Sequence, residues 1–380
     1  MNSTAEEYNL IFREKMYFNT VLTSVLMFLG VAGNAAALYL YAFRMSRTED
    51  RYFIPFLAAV DLVACVFGCV FPIVINFYRL VFVWEDICKW MYFSVWCTST
   101  LSAVMLFVIA IYRYLKVCRP DGRQMTMNKR RIALLCSVLG SIILSLPLLH
   151  FMGQIRGSVN LKNMDINVTS CGLKKERVGP FSNLYFLSGL VLSFINMVCT
   201  VALYIPIGLT IYKRFDSIRN SKRIRKLLGP TNSDLSDDRQ SDSTSESRKE
   251  ANLKYRHSLQ NVLDTSVCKK KNSHRRRVRH NFTSMFITIV VFYVISYLPT
   301  LILIIVGSKD PFKFWFRLDD VSLNILVILK RSYIINHVVN PYIYGYFDLH
   351  FRRQFMQSVF ICKEQSGGCI AASNWLLGTI

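Results

Sequence analysis

Acidic residues are few in this chain. Its 380 residues carry 24 Asp and Glu against 46 Lys and Arg, a formal net charge of +22. Long stretches lack charge of either sign, and 52% of all residues are hydrophobic. The basic residues crowd into the connectors between those stretches. The excess therefore reads as a rim facing anionic membrane lipid, and nucleic acid is not expected as a partner. The six histidines show no metal-ligand spacing and no convergent catalytic set is evident, so an enzyme is not expected. Repeated halves with matched interrupted helices, which a transporter of this kind would carry, are missing too. The first 17 residues lack the apolar core of a cleavable signal peptide.

What is present is seven apolar runs, near residues 18–43, 52–79, 87–118, 130–152, 182–213, 279–306 and 322–347. About 20 apolar residues make a helix that crosses a bilayer core, and such runs are too long for barrel strands. The expected fold is an all-α membrane protein, a seven-helix bundle over 18–347. Residues 1–17 form an extracellular N-terminus, and 348–380 form a short amphipathic helix and cytoplasmic tail. Lys and Arg concentrate in 44–51, 113–131, 213–280 and the tail, which sets those segments inside and the N-terminus outside. The loop 214–278 contains the Ser/Asp-rich stretch "TNSDLSDDRQSDSTSESRKE" and is expected to be a disordered linker between cationic extensions of the fifth and sixth helices, either merely solvated or tuned by phosphorylation. Asn2 and Asn167 begin glycosylation sequons on the outer side. Cys65, Cys69, Cys97, Cys136 and Cys199 read as small packing residues inside runs. Cys88 and Cys171 are the cysteines expected to face the oxidising side, so they can pair. Cys362 follows the amphipathic stretch as a palmitoylation candidate or a free thiol.

Polar residues inside the runs carry the most information, because each is costly there. The first run holds Gly33-Asn34, and the second "LAAVD" ending at Asp61. The third begins with Cys88 and holds Arg113 25 residues later. The sixth holds Pro299, and the seventh "NPYIY", Asn340 to Tyr344. Together these resemble the rhodopsin-like (class A) G-protein-coupled receptors over essentially the whole chain, as a divergent member of the peptide or neuropeptide receptor type. The resemblance implies an outward ligand cavity, a Cys88–Cys171 bridge and localisation at the plasma membrane. It implies a heterotrimeric G protein as inner partner and leaves room for arrestin. Arg113, Tyr112, Asn340, Pro341 and Tyr344 would form the G-protein switch. It gathers Asn34, Ser102, Asn336 and Asn340 around Asp61, an oxygen set suited to Na⁺ as an allosteric ion. Singly, Ser102 or Asn336 would serve only helix–helix hydrogen bonding. His337 reads as a packing residue.

The chain also departs from that family. Its acid before the arginine is Tyr112 here, and its sixth-run tryptophan is Tyr297. An acid at the start of the sixth helix is replaced by Arg279. With neither acid present, Arg113 is expected to be weakly held and the receptor to signal without ligand, against the alternative that water and the end of the second helix satisfy it without bias. Val95 stands where amine receptors carry an aspartate, which argues against an amine ligand. Lys330 and Arg331 lie about 10 residues outward of Asn340, roughly 15 Å along a helix. Lys330, with Tyr92, Tyr297 and Thr300, is the candidate site for an acidic ligand group, against the alternative that it snorkels to the interface. Arg331 is expected to snorkel or pair with an acid. A short acidic peptide is the first expectation for the ligand. The alternatives are a small anionic metabolite or lipid, or a signalling-silent seven-span partner protein.

Overall fold

The computed structural model describes residues 3–46, 48–161, 164–227, 282–306 and 318–365. The N-terminal segment is helical: α1 spans Ser3–Lys15, with Glu6 in its first turn and Arg13 and Lys15 in its last, a placement the helix dipole favours. Met16 breaks the helix (φ −91°, ψ 5°) and α2 follows at Tyr17–Tyr39, closing in a π-helical turn at Leu40–Arg44. A 3₁₀ turn, Glu49–Arg51, precedes α3 (Ile54–Phe77). Next come α4 (Glu85–Cys118), α5 (Met127–Ser145) and the short α6 (Pro147–Phe151). An antiparallel hairpin pairs β1 (Met152–Leu161) with β2 (Met164–Leu173). Then follow α7 (Pro180–Leu227), α8 (Phe282–Val306), α9 (Asp320–Lys330), α10 (Tyr333–Phe347) and α11 (Leu349–Gln365).

Among the described residues, six helices are long and apolar enough to cross a membrane: those containing α2, α3, α4, α5–α6, α7 and α8. The seventh span is α9 and α10 together, interrupted at Arg331–Ser332. The Ser332 hydroxyl causes the interruption locally. It donates to the Leu329 carbonyl (2.8 Å) and lies 2.5 Å from the Ser296 carbonyl. A side chain that takes a carbonyl in this way competes with the helix ladder. Large apolar side chains such as Phe28, Phe43, Ile143 and Phe181 are exposed around the bundle. That is the surface a bilayer covers, and the chain is a seven-helix multi-pass membrane protein. Its core, with Leu57, Leu106, Ile109, Met285, Phe286 and Tyr344, fills the space between the helices. Gly30 lets α2 approach α3, since a Cβ there would sit 2.4 Å from the Cys65 sulfur.

The fifth helix carries the cationic extension expected beyond its apolar run and reaches Leu227, so the first residues of the loop 214–278 are helical. Residues 214–227, "RFDSIRNSKRIRKL", hold no Gly or Pro, and Lys and Arg are good helix formers. Extending an existing helix costs far less than starting one. The rest of that loop, Arg279 and Asn2 lie outside the described residues. Cys362 falls within α11.

Candidate functional site

Three polar clusters line the bundle from one end to the other. The middle one is built on Asp61, fully buried in α3. Ser102 of α4 donates to Asp61 Oδ1 at 3.0 Å, and Asn340 of α10 donates through Nδ2 to Oδ2 at 2.6 Å. His337 of α10 places Nδ1 2.8 Å from Oδ1. The histidine is therefore a direct partner of the carboxylate and not the packing residue expected. Its position was legible: it precedes Asn340 by three residues, and such pairs share a helix face. Asn34 stands one step back, donating to the His337 carbonyl at 2.8 Å and the Gly30 carbonyl at 3.0 Å. Asn336 is buried, and neither of its amide atoms has a partner.

Sodium fits this donor set poorly as arranged. The buried Oδ1 atoms of Asn34, Asn336 and Asn340 lack donors and are the hard oxygens a cation would use. Both oxygens of Asp61, however, are already met by nitrogen groups, one from His337 and one from Asn340. An ion would have to displace the imidazole to reach Oδ1.

The second cluster surrounds Arg113 near the end of α4. Arg113 is not weakly held: as in the alternative, the end of the second span satisfies it, and does so with an acid. Arg113 is only 1% exposed, and its Nη1 meets Asp50 Oδ1 at 3.0 Å while Nη2 donates to the Asp50 carbonyl at 2.8 Å. Its guanidinium also lies 4.5 Å from the centre of the Phe286 ring of α8. Lys116, one turn on, reaches the same carboxylate at 2.9 Å. Tyr112 does not hydrogen-bond Arg113. Its hydroxyl donates to the Glu49 carbonyl at 2.9 Å and accepts from Lys116 at 3.1 Å. The neighbouring Arg51 forms a two-point ion pair with Asp348, Nε to Oδ2 and Nη2 to Oδ1, each 3.1 Å. Asp348 also accepts from Tyr41 (3.0 Å) and from the His350 backbone N–H (3.0 Å), which starts α11. One short turn thus ties the end of α4 to the junction of α10 and α11. Tyr344 is buried beside it, edge-on to Tyr41, its hydroxyl without a partner. Pro341 lies inside α10, packed beside Gly33.

The third cluster lies at the hairpin end. Cys88 at the start of α4 is bonded to Cys171 of β2, which fixes the hairpin over the bundle. The segment after α3 is pinned from two sides. Asn9 of α1 donates to the Phe77 carbonyl (2.8 Å) and accepts from the Leu80 N–H (3.0 Å), while Thr169 of β2 bonds both Leu80 and Phe82. Asn167 is exposed on β2. Lys330, the last residue of α9, is exposed. Arg79 is near enough to repel Lys330 and Arg331, and it neighbours Tyr92. Arg331 does not snorkel, and among the described residues it meets no acid. It turns inward and donates to Asn76 Oδ1 at 2.8 Å. Tyr297 and Thr300 lie deeper and are engaged, Tyr297 with the Ser99 carbonyl (3.3 Å) and Thr300 with Ser332 (3.3 Å). Sequence reasoning missed Asp50, His337 and Arg79.

Comparison with known proteins places this geometry. A family model described as "7 transmembrane receptor (rhodopsin family)" matches residues 33–344. The neuropeptide receptor npr-1 of Caenorhabditis elegans is 24% identical over 363 residues, covering 90% of this chain and 72% of the relative. The tachykinin-like peptides receptor 86C of Drosophila melanogaster is 28% identical over 159 residues, 39% of this chain and 30% of that receptor. Among solved structures, squid rhodopsin superposes with a TM-score of 0.61 at 15% identity, covering 96% of this chain and 93% of its own. That likeness concerns the fold. The family is one of receptors and not an enzyme class. On the match over 33–344, the chain belongs to the rhodopsin family of seven-transmembrane receptors.

Proposed function

We propose that this chain is a plasma-membrane receptor for a short peptide bearing an acidic group. Its N-terminus and hairpin face outward, and it signals to a heterotrimeric G protein at the Arg113 end, with arrestin as a second inner partner. The observation that carries the peptide reading is the pair of relatives named as neuropeptide and tachykinin-like peptide receptors. The acidic group is supported by Lys330, an exposed cation at the end of α9 with Arg79 near it. Separating a buried charge pair costs about 2–5 kcal/mol, so one carboxylate on the ligand would dominate recognition. The same two cations would accept a small anionic metabolite or lipid, which is the second reading. The test is a peptide and metabolite library screened on cells carrying a promiscuous G-protein reporter, with hits remade as carboxylate and neutral amide pairs. Activity confined to the acid form, and lost in Lys330→Ala at equal surface expression, supports the reading. Equal potency of acid and amide rejects the acidic group, and an agonist that is not a peptide rejects the peptide.

A further inference from the structure

The N-terminal helix α1 is not a loose tail. Its buried residues Ala5, Asn9, Phe12 and Met16 recur at spacings of three and four, which places them on one helix face. That face touches two separate parts of the bundle. Ala5 packs with Leu80 after α3 and with Ile166 and Val168 of β2. Asn9 donates to the Phe77 carbonyl (2.8 Å) and accepts from the Leu80 N–H (3.0 Å). Further along, Phe12 and Met16 pack with Leu323 and Val327 of α9. At the end of α1, Lys15 pairs with Asp320 at 2.7 Å, and its carbonyl accepts from Asn324 Nδ2 at 3.0 Å. Asn324 also meets Asn19 in the first turn of α2.

No continuous hydrogen-bond ladder joins α9 to α10. An unbroken helix would send the Tyr333 N–H to the Leu329 carbonyl. It goes instead to Thr300 Oγ1 of α8 at 3.3 Å. The Leu329 carbonyl is taken by the Ser332 hydroxyl (2.8 Å) and the Ser332 N–H (3.3 Å). Tight three-residue bonds carry the chain across, from the Ile334 N–H to Arg331 and from the Ile335 N–H to Ser332. A short turn of this kind between two helical pieces is where a hinge absorbs rotation.

We propose that α1 is a strap. It fixes α9 to the segment after α3 and to the hairpin, and α9 is a movable wall that pivots at Arg331–Ser332. The strap sets how widely the hairpin end of the bundle opens. The bonds of Ser332 and Tyr333 to α8 pass the position of α9 on to that helix. The 11 residues of α9 make about 16 Å of helix, so a pivot of about 15° carries its far end about 4 Å. The strap acts whichever ligand enters.

The experiment uses the full-length receptor in lipid nanodiscs without ligand. Spin labels on unnatural amino acids at Val321 of α9 and Trp90 of α4, both exposed, report the distance between those helices. A second pair, Tyr342 of α10 with Trp90, is the control. The native receptor should give one narrow distance for each pair. Asn9→Ala removes both bonds of the strap on the α3 side and leaves its contacts with α9. It should add a Val321 component displaced by about 4 Å, while the Tyr342 distance stays narrow. Asn324→Ala cuts the strap from α9 and should do the same, so either variant suffices if the other does not fold. An unchanged Val321 distance in a folded variant overturns the strap. So does a Val321 distance already broad in the native receptor, because α1 would then hold nothing. Equal displacement of Val321 and Tyr342 overturns the hinge, since the seventh span would then move as one rod.

Discussion

Replacing Asp50 by asparagine tests what holds Arg113. The substitution keeps the size of the side chain and the backbone carbonyl that Nη2 uses at 2.8 Å, and removes the charge that Nη1 meets at 3.0 Å. A buried ion pair broken on one side costs about 3–5 kcal/mol. Here the loss is smaller for two reasons. The Asp50 side chain is 24% exposed, so water softens its contribution, and the Phe286 ring remains against the guanidinium. The charged hydrogen bond alone is worth about 1.5–3 kcal/mol. A loss of about 2 kcal/mol shifts the balance between this arrangement and one with Arg113 released by roughly 30-fold. In the arrangement described, Arg113 is 1% exposed and cannot meet a partner. Asp50→Asn should therefore raise ligand-free second-messenger output at matched surface expression, and Asp50→Glu should restore most of the native value. The native receptor should be quiet, contrary to the expectation from Tyr112 and Arg279 alone. Arg113→Gln combined with Asp50→Asn should show no further rise, because the two side chains act through one contact. Native-level basal output in Asp50→Asn, with equal expression, would refute Asp50 as the restraint.

Other perturbations follow from the same structure. Cys171→Ala opens a bridge that spans 83 residues, and losing such a cross-link costs about 2–5 kcal/mol, so surface expression should fall; normal expression with full ligand response would remove the bridge from any structural role. Agonist affinity in the native receptor should change little when sodium replaces a large organic cation, because His337 occupies Asp61 Oδ1, while His337→Ser should make sodium lower it; a strong sodium effect in the native receptor would contradict this. Arg51→Ala leaves Asp348, 4% exposed on its side chain, without its two-point partner and should lower thermal stability by several degrees, whereas Arg51→Lys should recover only part, as one point charge cannot replace the fork. Equal stability of all three proteins would show that Tyr41 and the start of α11 hold Asp348 unaided.

The helices were readable because bilayer thickness leaves a length and a composition in the sequence, and neither depends on what each helix packs against. The interruption of the seventh span was not readable in that way. Arg331 and Ser332 look like ordinary interruptions of an apolar run, and only the hydroxyl's position between the Leu329 and Ser296 carbonyls shows why the helix stops. Arg331 itself could not be placed from sequence, since its partner, Asn76, is neutral and lies on another helix. The N-terminal helix was missed for a related reason. Its apolar positions Ala5, Phe12 and Met16 make sense only once the hairpin and α9 are there to receive them.

The partner of Arg113 was present in the sequence, but as a register and not as a motif. Helices α3 and α4 run antiparallel, so a step backward along one matches a step forward along the other. Asp61 faces Ser102 across that pair. Eleven residues is about three helical turns, which returns a side chain to nearly the same face. Eleven residues before Asp61 is Asp50, and eleven after Ser102 is Arg113. The contact between Asp61 and Ser102 therefore carries the contact between Asp50 and Arg113 with it, one near the middle of the bundle and one at its end. The 3₁₀ turn at Glu49–Arg51 lies just before the start of α3, yet it keeps that register closely enough for the carboxylate to arrive at 3.0 Å. A search confined to the residue before the arginine looks along one helix. The acid that holds Arg113 lies across from it, set by the same packing that buries Asp61.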